Sequence, residues 1–136
     1  MSERFTIELS EEYAQMMREI AQLANQPIEI VIAELAQLSS SETIDTQLVH
    51  VNTFSTIRLW STVHVGLMFP DFLNKRMSQL IQYSKQGNLS SAEQDELDNL
   101  IVLYDKYTLL RSYALVELQD RGYDIQTYLD ENAPNP

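Results

Sequence analysis

Carboxylates are the side chains best placed to do chemistry in this sequence. Glu93, Asp95, Glu96 and Asp98 lie close together, and Glu93 and Glu96 would stand about one turn apart on a helix. Such a group could hold a cation or exchange a proton. The same acids lie where a helix is expected to start, and the helix dipole favours negative charge there. A carboxylate metal site in a helical body also calls for histidines or a second carboxylate helix, and no Glu-x-x-His occurs. Neither a glycine-rich phosphate loop nor a serine-centred nucleophile turn is present. The residues therefore point to no enzyme, no metal and no cofactor. Of the two histidines, His50 is too isolated to belong to a ligand cluster. His64 could titrate near neutral pH, but a partly buried structural role suits it better. What remains is Arg4, Thr6 and Glu8, which alternate with Phe5, Ile7 and Leu9. These three polar groups would project together from one face of a short strand.

The elements that would position these groups are mainly helical. Ser10, followed by Glu11 and Glu12, caps a helix whose face carries Tyr13, Met16, Met17, Ile20 and Leu23. After Asn25, Gln26 and Pro27 a second helix carries Ile28, Val31, Ile32, Leu35 and Leu38. The strand ahead of them cannot stand unpaired. The simplest partner is the same strand of a second chain, which makes Phe5, Ile7 and Leu9 the core of a two-stranded ribbon across a dimer axis.

Residues 39–55 are polar and turn-prone, a linker with local structure. Residues 56–69 fit either helix or strand by pattern, with helix favoured because the neighbours are helical. The spacing then predicts an antiparallel hairpin. Phe72, Leu73, Met77, Leu80 and Ile81 line Asp71 to Gln86, and Gly87 stops it. Ser90 and Glu93 form a capping-box pair that opens a helix from Ser91 to Arg121, which Gly122 ends. Lys106 and Arg111 are expected at the edge of the hairpin with their charges in water. Tyr123 to Pro136 is an acidic tail with a frayed end.

The 136 residues carry 20 acidic and 9 basic side chains, a formal net charge of −11, and no cysteine. That excludes disulfides and thiolate metal sites, and opposes nucleic acid unless the few cations are concentrated. No apolar run is long enough to span a bilayer and no secretory leader is visible. The expectation is a cytoplasmic chain with no membrane partner.

The first forty residues resemble the ribbon-helix-helix family of dimeric transcription factors and antitoxins. The resemblance lies in the run from Phe5 to Tyr13, in Ile20-Ala-Gln-Leu-Ala, and in the segment from Ile28 to Leu35. It implies a homodimer whose paired strands enter the DNA major groove, with Arg4, Thr6 and Glu8 as base readers. A phosphate clamp would lie around Pro27, Ile28 and Glu29. Glu8 and Glu29 depart from the family pattern and repel phosphate. Residues 1–40 hold seven acidic and two basic side chains, a net of −5.

From Trp60 onward the chain is similar to a mostly cyanobacterial family of small helical proteins with such heads. The shared order is Pro70, the Gly87-Asn-Leu-Ser turn, Tyr104, Leu109-Leu-Arg-Ser and Arg121-Gly. The architecture expected is mainly α, a ribbon-helix-helix dimerisation head over 1–40 followed by an antiparallel helical hairpin. A linker would cover 41–55, a helical body 56–124 with its hairpin at 71–121, and an acidic flexible tail 125–136. The function expected is a dimeric, DNA-associated transcriptional regulator or antitoxin-like protein with weak DNA affinity of its own. Its partners would be itself, DNA and a basic protein such as a toxin nuclease. The alternative is a non-enzymatic structural or interaction module that keeps the dimer head without binding DNA.

Overall fold

Seven α-helices account for most of the described residues, and five of them start at a side chain that satisfies an open backbone amide. The computed structural model describes residues 3, 6, 8–38, 42–64 and 69–132. Helix α1, Glu11–Ala24, begins at Ser10, whose hydroxyl accepts the Tyr13 amide at 3.3 Å. It ends at Asn25, in the left-handed region at φ 54°. The Asn25 and Gln26 amides turn back there to the Gln22 and Ala21 carbonyls. Asparagine visits that region more readily than most residues, so it can replace the glycine usual at such a stop. Helix α2, Ile28–Ala36, follows Pro27. Helix α3, Ile44–His50, is capped by Thr43 and runs into a 3-10 turn at Val51–Thr53. Helix α4, Thr56–Val63, is capped by Ser55.

Helices α5, Asp71–Lys85, and α6, Ser91–Asp120, form the hairpin. Gly87, at φ 72°, closes α5, with its own amide on Ser84 and the Asn88 amide on Tyr83. The capping box is complete. The Glu93 amide donates to Ser90 Oγ, and the Ser90 amide donates to Glu93 Oε1, both at 3.1 Å. Helix α6 is about 45 Å long at about 1.5 Å per residue. Gly122 ends it with the same double return of amides as Gly87, to Gln119 and Leu118. Helix α7, Ile125–Glu131, is capped by Asp124.

The main core gathers on the C-terminal half of α6. Leu110, Ala114 and Leu118 pack with Ile57, Leu59, Trp60 and Val63 of α4, and with Ile125 of α7. Trp60 is 1% exposed and stands edge-on to Tyr123 and Tyr128, with ring centroids at 5.5 and 5.0 Å. Helices α1 and α2 enter the same core through Met17, Ile20, Ala24 and Val31. Each large apolar side chain buried there contributes about 1.5–3 kcal/mol. A second, smaller cluster of Leu80, Leu97 and Leu100 holds the far end of the hairpin.

Several expectations change here. The segment expected as a linker with local structure carries α3 and the 3-10 turn over residues 44–53. Ile44, Leu48 and Val51 fall on one side of α3 and the following turn, and pack against the main core. The segment expected to be a flexible tail is a docked helix over 125–131, with Ile125 only 6% exposed. The two N-terminal helices share a core with the rest of the chain and do not stand apart as a separate head.

No strand occurs among the described residues, so the ribbon-helix-helix head is not seen as expected. Phe5 and Ile7 of its predicted core lie outside the described residues, and Leu9 is 41% exposed. A strand whose only partner is a second chain has no hydrogen-bond ladder within one chain. Neither of the predicted edge cations ends simply in water. Arg111 donates from Nε to the Val63 carbonyl at 2.8 Å, closing the C-terminal end of α4. Lys106 pairs with Asp45 on α3 at 3.0 Å.

Candidate functional site

The arm before α1 and the turn between α1 and α2 are where the sequence places DNA contacts. Thr6 and Glu8 are exposed and belong to no helix. Arg4, the third reader, lies outside the described residues. The three predicted readers are therefore not seen together as one surface.

At the turn, Pro27 precedes α2 without a side-chain cap. The first amides of a helix have no acceptor within it, so those of Ile28 and Glu29 have none inside α2. A shallow groove there is lined by Gln15, Arg18, Gln22, Gln26 and Ile28. Arg18 donates to Gln15 Oε1 at 3.2 Å. Arg18 was not among the predicted contact residues. The sequence signal for it is the polar row Gln15, Arg18, Gln22, at spacings of three and four, which ends beside the turn. Arg18 brings positive charge to the start of α2, while Glu19 lines the same groove and Glu29 lies in the first turn of α2.

The acidic group at the start of α6 has structural partners. Glu93 completes the capping box. Glu96 takes two bonds from Arg76 on α5, Nε to Oε1 at 2.7 Å and Nη2 to Oε2 at 2.9 Å. That hydrogen-bonded guanidinium holds the Glu96 carboxyl below its ordinary range. Asp98 accepts from Gln94 at 2.9 Å. Among the described residues no three His, Asp or Glu side chains are grouped to hold a metal ion.

His64 sits at the end of α4, beside Glu19, Leu23 and Tyr128. Burial lowers its pKa, partly opposed by Glu19 and reinforced by Arg111. Its Nε2 is buried without a hydrogen-bond partner among the described residues, as is Trp60 Nε1. Both side chains are packed into the junction of α1, α4 and α7.

Two arginines, Arg111 and Arg121, grip α4 from the C-terminal part of α6. Arg111 holds the Val63 carbonyl. Arg121 reaches the other end of α4, donating to the Phe54 carbonyl at 2.7 Å and the Asn52 carbonyl at 3.3 Å, with Glu117 at 3.1 Å.

Along its outer face α6 carries Val102, Leu109, Tyr113 and Val116, which are 54%, 42%, 43% and 57% exposed. Spacings of seven, four and three residues put them in one stripe. Asp95 and Asp98 continue that line toward the start of the helix, and Asp120 lies at its other end. No helix among the described residues is long and apolar enough to cross a membrane. Comparison with protein-family models, with curated proteins and with solved structures finds no match for this chain.

Proposed function

We propose that this chain works by binding other macromolecules and not by catalysis, as an antitoxin-like regulatory protein whose acidic helical body holds a basic protein partner. The observation that carries this reading is the outer stripe of α6. Four apolar side chains lie open there on a chain of net charge −11, with aspartates in line at both ends. An apolar helix with basic residues at its ends complements such a face in shape and in sign. A second copy does not, since antiparallel pairing about Ser112 and Tyr113 would set Asp120 of one chain against Asp105 of the other.

The test is co-expression with the product of the adjacent gene, followed by purification and titration. Wild type should form a stable heterocomplex, and Leu109→Asp should weaken it by about 100-fold or more, because charge would be buried in an apolar contact. The position is exposed, so the fold tolerates the change. A wild-type chain that binds DNA at micromolar concentration and no adjacent-gene product would overturn this reading.

A second reading, the dimeric DNA-associated regulator, is favoured by Arg18 beside the open start of α2, and by the resemblance of the first forty residues to ribbon-helix-helix proteins. In that reading Phe5, Ile7 and Leu9 pair across a dimer axis, and Arg4, Thr6 and Glu8 face the duplex. Glu8 and Glu29 from each chain make binding weak and steeply salt-dependent. Light scattering and titration of labelled promoter DNA at about 50 mM salt test it. A dimer that binds promoter DNA, and loses binding with Arg18→Ala, would support it. A monomer without DNA affinity below about 10 μM would end it, since non-specific binding alone reaches that range.

A further inference from the structure

A cavity of about 380 Å³ opens where α1, α6 and the start of α5 meet, away from both faces described above. Its volume lies in the range of small-ligand sites. Three aromatic rings line it, Tyr13 of α1, Phe69 ahead of α5 and Tyr104 of α6, together with the Met16 thioether. Phe69 is 5% exposed and meets Tyr104 edge-on, with centroids at 5.3 Å and planes at 86°. Tyr13 and Tyr104 are 46% and 37% exposed, so a solute can reach their rings. Two carboxylates, Glu12 and Asp71, and the Asn74 amide complete the lining, and the described residues that line it include no lysine, arginine or histidine. Each acid also lies in the first turn of its helix, where the dipole alone would favour it. That does not account for three rings gathered between them around a cavity.

We propose that this cavity binds an organic cation, an alkylammonium or guanidinium head group. Aromatic faces carry negative potential and attract a poorly hydrated cation, and the carboxylates add charge attraction. Two carboxylates among aromatic rings make a poor site for a hard metal ion, which needs more oxygen ligands. Lys75 is a built-in competitor. Its Nζ lies 3.0 Å from Asp71 Oδ2, in a pair whose two side chains are each 78% exposed. So open a contact holds Lys75 only weakly, and an incoming cation can displace it. The head group has two sources, a lysine or arginine side chain on a polypeptide and a free quaternary ammonium. The inference stands on the cavity and does not depend on what the outer stripe of α6 binds.

The test is an amide NMR titration of the full-length chain with choline, with the blocked peptide acetyl-Gly-Lys-Gly-amide, and with 3,3-dimethyl-1-butanol, the neutral isostere of choline. A cation should shift the amides around Tyr13, Phe69, Asp71 and Tyr104 saturably, and the alcohol should not. Tyr104→Leu and Glu12→Gln, both at exposed positions, should each weaken binding roughly tenfold. Lys75→Ala should strengthen it about two-fold. Tighter binding of the peptide would assign the site to a polypeptide side chain, and tighter binding of choline to a free quaternary ammonium. Equal shifts with the alcohol, saturable binding that both weakening variants leave unchanged, or no saturable shift with either cation would overturn the proposal. A chain that fails this titration yet holds its protein partner through Leu109 would separate this site from the α6 stripe.

Discussion

The two halves of α6 belong to one continuous helix but live in different surroundings. Its C-terminal half is enclosed by α3, α4 and α7 and contributes Leu110, Ala114 and Leu118 to the main core. Its N-terminal half has one helical neighbour of substance, α5, and contributes Leu97 and Leu100 to a cluster with Leu80. Backbone hydrogen bonding is alike along the helix, so the contrast is one of tertiary packing. A helix draws most of its stability from such packing and little from intrinsic propensity. The far end of the hairpin should therefore open on its own, at lower free energy than the rest.

The sharpest way to break this contrast is to remove its stronger side. Trp60→Ala should cost about 3–5 kcal/mol, because an enclosed ring packed on Tyr123 and Tyr128 leaves a cavity that its neighbours cannot fill. Urea unfolding followed by circular dichroism should show one cooperative shift of the whole transition. Leu80→Ala should cost about 2–5 kcal/mol, but locally. Hydrogen exchange should quicken from 71 to 100, while amides from 108 to 118 keep their protection. Equal loss of protection along α6 would mean that the two halves form one cooperative unit.

Arg111→Met probes the boundary between the halves. Losing a charged donor to the Val63 carbonyl should lower stability by about 1–3 kcal/mol, read in the same urea experiment, with little effect on exchange in the hairpin tip.

The smallest effect expected is a pH slope from His64. Its pKa is lowered by burial, so between its folded and unfolded values the unfolded chain binds more protons. Stability from this group is full above the unfolded value, near 6.5, and is lost as pH falls through the folded one. His64→Gln should reduce the difference in stability between about pH 7.5 and 5. An unchanged difference would mean that the ring titrates alike in both states.

Helix ends were the most legible part of the fold, because single side chains decide them. Ser10, Ser90 with Glu93, Gly87 and Gly122 all act where the spacing puts them. Faces were harder to assign. Around Leu100 to Leu110 the apolar residues of α6 point in several directions, so spacing alone does not separate Ile101 and Tyr104, which are exposed, from Leu110, which is 2% exposed. On α5, Phe72 shares the spacing of Leu73 and Leu80 but is 71% exposed. Helix α3 was hidden because Ile44, Leu48 and Val51 are spaced among polar residues that look like a connector. Helix α7 was hidden because two nearby tyrosines and one isoleucine gave little sign of what they would pack on.

The candidate contacts were less legible still. Arg18 faces a groove that exists only once α1 and α2 have turned against each other. The cavity beside Tyr104 draws on residues about ninety positions apart in the chain. Long-range contacts of this kind follow from tertiary packing and leave no local pattern.

The paired grip of Arg111 and Arg121 on α4 makes α6 a measuring rod. The ten-position step from Arg111 to Arg121 spans about 15 Å, while the eight-residue helix they bracket spans about 12 Å. One residue added or removed inside that interval would turn one arginine about 100° away from its carbonyl, so only one end of α4 could still be held. The turn from Gln86 to Ser90 carries no such ruler. Insertions and deletions among relatives of this chain should accumulate at that turn and avoid the stretch between the arginines, making chain length there a record of the fold.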